Sequence, residues 1–128
     1  MRYLAVVDDV HARLTEAQVE DAFCTFLQAQ GWQTSVRNPG YIDVIATRGE
    51  ETLIAEAKGH TKASETAVDI LYGQVLRRMR PSSTPVRYAI VVPHTLRDKV
   101  CRVHATTWAR LGLEVYVVNG DLSVEKIG

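Results

Sequence analysis

The 128-residue chain contains few cysteines and no long apolar run. Cys24 and Cys101 lack metal-ligand spacing, so we interpret both as small hydrophobic residues buried in predicted helices of a protein in a reducing compartment. The longest apolar runs, such as residues 88–93, are the length of a strand and exclude a membrane-spanning helix. Asp8 and Asp9 follow the first apolar run too closely for a signal peptide. We therefore expect a cytoplasmic protein with no membrane partner.

Repeats, low-complexity segments and linker-like stretches are also missing. Hydrophobic residues make up 46% of the chain and charged residues 23%, which is ordinary for a globular protein. A chain of this length can bury a proper core. We expect one domain over residues 1–128, with its core at about residues 15–118.

Charge is unevenly distributed, although the net charge is zero. Residues 1–56 hold 4 Lys/Arg against 9 Asp/Glu, whereas residues 57–110 hold 10 against 3. The basic block begins at Lys58 and suits a polyanionic partner such as nucleic acid. The alternative is that the helices simply carry solvated arginines.

The pattern of apolar residues and turn signals predicts alternating helices and strands. The predicted elements are a helix from Thr15 to about Gln30, a strand at 32–37, strands at about 41–47 and 52–58, a helix from Ser64 to Pro81, a strand at 86–92, a helix at 95–111, and strands at 113–118 and 122–124. Thr15 and Gln18 form a capping box, and Asn119-Gly120 favours a type I′ turn. Residues 2–7 fit a strand or an arm. We expect an α/β fold of αβββαβαβ order, with a mixed central sheet flanked by helices.

Two acids lie within the predicted hairpin strands, where acidic residues are rare. With Gly49-Glu50 as a two-residue type II′ loop, counting outward along both strands places Asp43 opposite Glu56. Their Cβ atoms would then be about 4.5–5.5 Å apart on one face. Like charges so placed repel, and a shared divalent cation relieves the repulsion. The alternative is a pair of solvated acids on a surface-facing strand pair.

These acids belong to a larger set of candidate site residues, each of which lies on a predicted helix or strand. The set is Glu20 on the first helix, Asp43 on the second strand, Glu56-Ala57-Lys58 on the third strand, and Gln74 on the next helix. With this set and order of elements, the chain resembles the PD-(D/E)XK nuclease superfamily, also called restriction-endonuclease-like, over about residues 15–118. One departure is Ile42, which stands where the family name implies proline.

The resemblance implies roles for the residues of this set. Asp43, Glu56, the Ala57 carbonyl and Glu20 would bind Mg²⁺ or Mn²⁺, which prefer oxygen ligands. Lys58 would position or help to deprotonate the attacking water and offset charge on the phosphorus. Gln74 would hydrogen-bond the lysine, a metal water or a phosphate. The alternatives are a solvated lysine at the strand end and an ordinary surface glutamate at position 20.

Residues around this set are candidates for contact with DNA. His60 and Lys62 follow the third predicted strand, and Arg77 and Arg78 follow Gln74 on the next helix. Gly73 within that helix indicates a close approach of its backbone to the sheet or the site. For His60 and the arginines, a purely solvated position is the alternative.

The sequence therefore predicts a metal-dependent DNA nuclease, and within that class an endonuclease, with Mg²⁺ or Mn²⁺ as cofactor and DNA as partner. A homodimer is implied by the resemblance alone. One rival is a catalytically inactive nuclease-fold module that binds DNA or protein. The other is an unrelated α/β domain with coincidental carboxylates, which predicts Asp43 and Glu56 on different faces or too far apart to share an ion.

Overall fold

The predicted αβββαβαβ order is present in the structure, a computed structural model that describes residues 12–128. Its elements are α1 (Glu16–Gln28), β1 (Gln33–Ser35), β2 (Val44–Arg48), β3 (Glu51–Ala57), α2 (Ser64–Arg78), β4 (Val86–Pro93), α3 (Arg97–Val100), α4 (Ala105–Leu111), β5 (Leu113–Val118) and β6 (Val124–Lys126). The predicted strand or arm at residues 2–7 lies outside the described residues. Within residues 12–128, no helix combines the length and apolar character needed to cross a membrane.

The six strands form one mixed sheet in which spatial order follows chain order. Strands β1, β2 and β3 are antiparallel, β3, β4 and β5 are parallel, and β6 returns antiparallel to β5. The two parallel connections pass through helices, as such crossovers require. The predicted mixed sheet flanked by helices is confirmed.

Helices cover both faces of the sheet and create two cores. Helix α1 packs Phe23 and Leu27 against one face, and α2 packs Leu71 and Val75 against the other. The capping box predicted at Thr15 is formed, with reciprocal bonds between Thr15 and Gln18. Because β4 lies between the cores, its apolar run is buried on both sides.

The β2–β3 hairpin has the register predicted from its turn. Arg48 pairs with Glu51, and the ladder continues to Val44 opposite Ala55. Gly49 has φ of 60° and Glu50 does not have a positive φ, which is the pattern of a type II′ rather than a type I′ turn. Asp43 and Glu56 therefore occupy opposite positions one step beyond the last paired residues.

The predicted helix at 95–111 is wrong, because the chain forms a short 3₁₀ turn, α3 and a separate α4 there. The Tyr72 hydroxyl donates to the Val100 carbonyl (2.8 Å) and accepts from the Trp108 indole nitrogen (2.9 Å). This tertiary contact holds two short helices around one hydroxyl and overrides helix propensity. Cys101 follows α3 and is exposed, so the prediction of a buried helical cysteine holds only for Cys24.

Two predicted local signals also fail. Ser64 is the first residue of α2, and the capping position is Ala63, which forms no side-chain cap. The Asn119-Gly120 turn is replaced by a longer loop, in which the Asp121 carboxylate accepts two hydrogen bonds from Ser123 and β6 begins at Val124. In both places a nearby side chain binds the backbone instead. Thr61 Oγ1 accepts from the Ala63 N–H, and the Asp121 carboxylate accepts from the Ser123 N–H.

Gly59 brings the end of β3 against the first turn of α1. A Cβ atom at Gly59 would overlap the backbone nitrogen of Glu16 and lie 2.7 Å from the Thr15 carbonyl carbon. The next residue fixes the contact, because the His60 N–H donates to the Leu14 carbonyl at 2.8 Å. The close backbone approach predicted for Gly73 is wrong, since a Cβ there would meet only the tip of the Arg77 side chain at 3.5 Å.

We expect Gly59→Ala to lower the free energy of unfolding by roughly 1–3 kcal/mol, because α1 must move to admit the methyl group. The matched control is Gly73→Ala, which should raise it by up to about 1 kcal/mol through helix propensity. Urea unfolding of the three proteins measures both effects. A Gly59→Ala protein as stable as wild type would show that this contact does not constrain α1.

Candidate functional site

Three acids, two on α1 and one just before β2, converge beside the end of the hairpin. Glu16 and Glu20 are one turn apart on α1, so their side chains leave the same face of the helix. Asp43 directly precedes β2. One carboxylate oxygen from each of the three residues lies within 4.8 Å of the others. We call Glu16, Glu20 and Asp43 the acid cluster.

Asp43 and Glu56 are linked by hydrogen bonds that replace the next step of the hairpin ladder. The Asp43 N–H donates to Glu56 Oε2 at 3.2 Å, and the Ala57 N–H donates to Asp43 Oδ2 at 2.8 Å. These bonds orient the Asp43 carboxylate. Glu56 is only 2% exposed and lies next to the acid cluster but outside its converging oxygens.

Crowding and burial make this region favourable for a proton or a cation. Burial raises the pKa of Glu20 to about 7, and the charges of Asp43 and Glu16 contribute to the rise. Burial also raises the pKa of Glu16, an effect that Asp43 reinforces and Lys58 opposes. The pKa of Glu56 is raised by burial too, while the hydrogen bond from Asp43 and the charge of Arg78 act against the rise. The carboxylates therefore carry unfavourable like-charge repulsion.

Lys58, the residue after β3, lies beside the acid cluster. Its Nζ lies 4.0 Å from Glu16 Oε1, and its N–H donates to the Val91 carbonyl at 3.1 Å. Strand β3 ends at Ala57, and Lys58 directly follows it. The nearest ionic partner of Lys58 is thus on α1, whereas that of Glu56 is on α2.

Arg78 connects α2 with both the hairpin and the loop before Asp43. One guanidinium nitrogen lies 3.8 Å from Glu56 Oε1. The same side chain donates to the carbonyls of Gly40 (3.3 Å) and Tyr41 (3.1 Å). Arg78 thereby fixes the loop that delivers Asp43 to the acid cluster.

A basic pocket of about 340 Å³ lies beside Arg78. It is lined by Gln74, Arg77, Arg78 and Arg80. The Gln74 Oε1 atom is buried and has no hydrogen-bond partner in the described part of the chain. Among residues 12–128, neither Arg77 nor Arg80 forms an ion pair. Cationic side chains around an unsatisfied amide oxygen make this pocket suitable for an anion with associated water.

His60 and Lys62 lie on the connection from β3 to α2 rather than in the acid cluster. The His60 ring is hydrogen-bonded through Nδ1 to Thr95 Oγ1 at 2.9 Å, and Lys62 is exposed. The structure thus gathers Glu20, Asp43, Glu56, Ala57 and Lys58 at one end of the sheet. Gln74, Arg77 and Arg78 lie in the adjoining basic pocket.

Three residues that the sequence reasoning did not assign belong to this region: Glu16, Gly59 and Arg80. Glu16 could have been found from its i,i+4 spacing to Glu20 on a helix with a recognised cap. Arg80 lies beyond the end of α2, and its position in the pocket has no signature in the local sequence. The same holds for Gly59, whose contact is with a helix more than forty residues earlier in the chain.

Solved structures of two other proteins share this fold. An XisH family protein from Nostoc punctiforme PCC 73102 matches with a TM-score of 0.59 and 17% identity, over 87% of this chain and 99% of that chain. An FdxN element excision controlling factor protein from Anabaena variabilis matches with a TM-score of 0.53 and 16% identity, over 88% and 99%. No protein-family model and no curated protein matches the sequence. At these identities the similarity shows the fold, and membership of the PD-(D/E)XK superfamily stays a prediction.

Glu20 generates a prediction for the pH dependence of stability without metal. Its pKa is about 7 in the folded chain and 4.5 ordinarily, so the folded state binds more protons between these values. Stability from this group is therefore present at low pH and is lost as pH rises through that window. In a chelating buffer, Glu20→Gln should raise the melting temperature by a few degrees at about pH 8 and have little effect at about pH 4.

The matched control is Asp69→Asn, because Asp69 is an exposed acid on α2 that lies outside the acid cluster. Its effect on the melting temperature should be small and similar at the two pH values. An equal effect of Glu20→Gln at both pH values would contradict the raised pKa of Glu20 in the folded protein.

Proposed function

We propose that this chain is a metal-dependent DNA nuclease with a PD-(D/E)XK-type site, cutting phosphodiester bonds as an endonuclease. The observation that supports this most directly is the convergence of the acid cluster beside Lys58, the residue that follows β3. A basic pocket adjoins it through Arg78. Carboxylates that could bind a metal cation therefore lie beside arginines that could bind a polyanion.

The donor set fits Mg²⁺ or Mn²⁺. The acid cluster supplies carboxylate oxygens only, Glu56 is a neighbouring carboxylate, and the carbonyl of Ala57, whose N–H binds Asp43, would be a further hard oxygen donor. In the proposal, Glu16 joins the predicted ligands. When bound, the cation would supply Lewis acidity at the phosphate and lower the pKa of a water.

The chain's own residues perform the remaining tasks. Lys58 holds an ammonium group beside the acid cluster, where it can orient water and offset charge that develops on phosphate oxygens. Glu56 acts as a positioning residue as well as a candidate ligand, since it binds the Asp43 N–H. Gln74 and the pocket arginines hold a phosphate of the strand. Exposed Lys62 adds a positive charge on the connection from β3 to α2, and His60 on the same connection is a candidate contact to DNA.

A second candidate function is a nuclease-fold module that binds DNA or protein without turnover. The observation in its favour is that Glu56 is buried and already engaged by Asp43 and Arg78, rather than directed at the acid cluster. One structural neighbour is described as an excision controlling factor, and a controlling role requires no cleavage.

We expect wild-type protein to cut plasmid or branched DNA with Mg²⁺ or Mn²⁺ and to be inactive with a chelator. Asp43→Asn and Lys58→Met should each lower the cleavage rate by roughly 100-fold or more, because each removes an electrostatic contact to the reacting phosphate region. A gel assay of nicked and linear products measures the rate. The matched control is Glu50→Gln, at the hairpin tip remote from the acid cluster.

Metal binding separates the two candidate functions. Mn²⁺ at about a hundred times its dissociation constant should stabilise a binding protein by about 2.7 kcal/mol, measured as a shift in melting temperature. Asp43→Asn should reduce that shift. Wild-type protein that shows neither metal-dependent cutting nor a metal-induced shift is a nuclease fold without nuclease chemistry, and the proposal then fails.

The basic pocket generates a separate prediction about DNA affinity. Arg77→Ala and Arg80→Ala should each weaken binding to all DNA sequences alike and reduce the slope of log K against log salt by about 1. Fluorescence anisotropy in chelating buffer at several salt concentrations measures both quantities. Arg110→Ala on α4 is the matched control, since that exposed arginine lies outside the pocket. An unchanged slope in both pocket variants would place the DNA elsewhere.

A further inference from the structure

Tyr41 is the most exposed large hydrophobic residue in the described part of the chain. It is 89% exposed, while the other exposed large hydrophobic residues reach at most 49%. It lies two residues before Asp43, in the loop that enters the acid cluster. A large aromatic ring therefore projects into solvent beside the proposed reaction centre.

The backbone at Tyr41 is strained. Its φ is 56°, a left-handed conformation that bulky residues rarely adopt and that costs about 1–3 kcal/mol. Glycine would occupy this conformation without strain, and the preceding residue is already a glycine. The ring packs on no core, so the fold gains little from a tyrosine here.

Four hydrogen bonds to side chains hold the strained loop in one shape. The Asn38 side chain donates to the Ile42 carbonyl (2.6 Å) and accepts from the Ile42 N–H (3.1 Å). Arg78 donates to the carbonyls of Gly40 and Tyr41. The ring is thus carried on a braced loop, which lowers the entropy lost when a ligand binds to it.

The surroundings indicate what the ring can bind. Arg78 lines the basic pocket and also touches the Tyr41 carbonyl, so a phosphate in that pocket would place its nucleotide near the ring. Aromatic side chains bind nucleobases by stacking on them. Within a fully paired duplex both faces of a base are covered, so only an unpaired base offers a free face.

We propose that Tyr41 stacks on an unpaired base next to the cleaved phosphate, and that the substrate is single-stranded or locally unpaired DNA. This inference rests on the proposed nuclease function and names its substrate class. It assigns Tyr41 to substrate recognition and Arg78 to the positioning of the Tyr41 loop.

The test compares binding of a labelled single strand and a fully paired duplex of the same sequence, by fluorescence anisotropy in chelating buffer. Tyr41→Gly removes the ring and keeps the positive φ without strain, so it should fold at least as well as wild type. We expect it to weaken single-strand binding by roughly 5- to 100-fold, the range for loss of one base stack, and duplex binding by less. Tyr41→Phe keeps the ring and should retain single-strand affinity within about threefold.

The matched control is Leu122→Gly, at another exposed loop residue with positive φ (71°), two strands away from β3. It should bind both DNAs like wild type. Equal losses on the two DNAs, or no loss in Tyr41→Gly, would overturn the inference and leave the nuclease proposal standing. A wild-type protein that binds neither DNA and cuts none with Mn²⁺ would refute the proposed function itself. A ring that serves a protein partner instead predicts unchanged DNA binding in Tyr41→Gly.

Discussion

The contact between Gly59 and the first turn of α1 is the constraint on which the acid cluster depends. Helix α1 and the β2–β3 hairpin are separate elements, and their acids repel one another. The cores on the two sides of the sheet supply the packing energy, and the backbone contacts at Gly59 and His60 hold the start of α1 against the end of β3, where Glu16 meets Lys58. A side chain at position 59 would separate the helix from the strand end and disperse the charges.

The second determinant is the way in which the hairpin ends. Backbone pairing between β2 and β3 stops at Val44, and the carboxylates of Asp43 and Glu56 accept the next N–H groups. An acid that binds a backbone N–H is held in a fixed orientation, which a solvated acid on a regular strand would lack. Arg78 then connects this strand end with the loop before Asp43. A residue of α2 and the acids of the hairpin therefore come together at one end of the sheet.

Much of the frame was accessible from the sequence because local chemistry determines it. The Gly49-Glu50 turn is sufficient to derive the register that sets Asp43 opposite Glu56, and Thr15 with Gln18 defines the start of α1. Features set by distant residues were missed. The Tyr72 hydroxyl divides the predicted helix at 95–111, Gly59 rather than Gly73 makes the close approach, and Glu16 rather than Glu56 completes the converging oxygens. Nothing in the nearby sequence signals the left-handed backbone at Tyr41.

The spatial order of the strands, identical to their order in the chain, has a consequence for synthesis. Each strand can pair with the one made just before it, so the sheet can grow stepwise as the polypeptide emerges, without threading a strand between two others. Every residue assigned to the acid cluster and the basic pocket lies between positions 16 and 80. The charged end of the hairpin is therefore translated before β4 and β5, the parallel strands that bury its neighbours. A nascent chain would therefore present the residues of the acid cluster and the basic pocket before the second half of the sheet can pair.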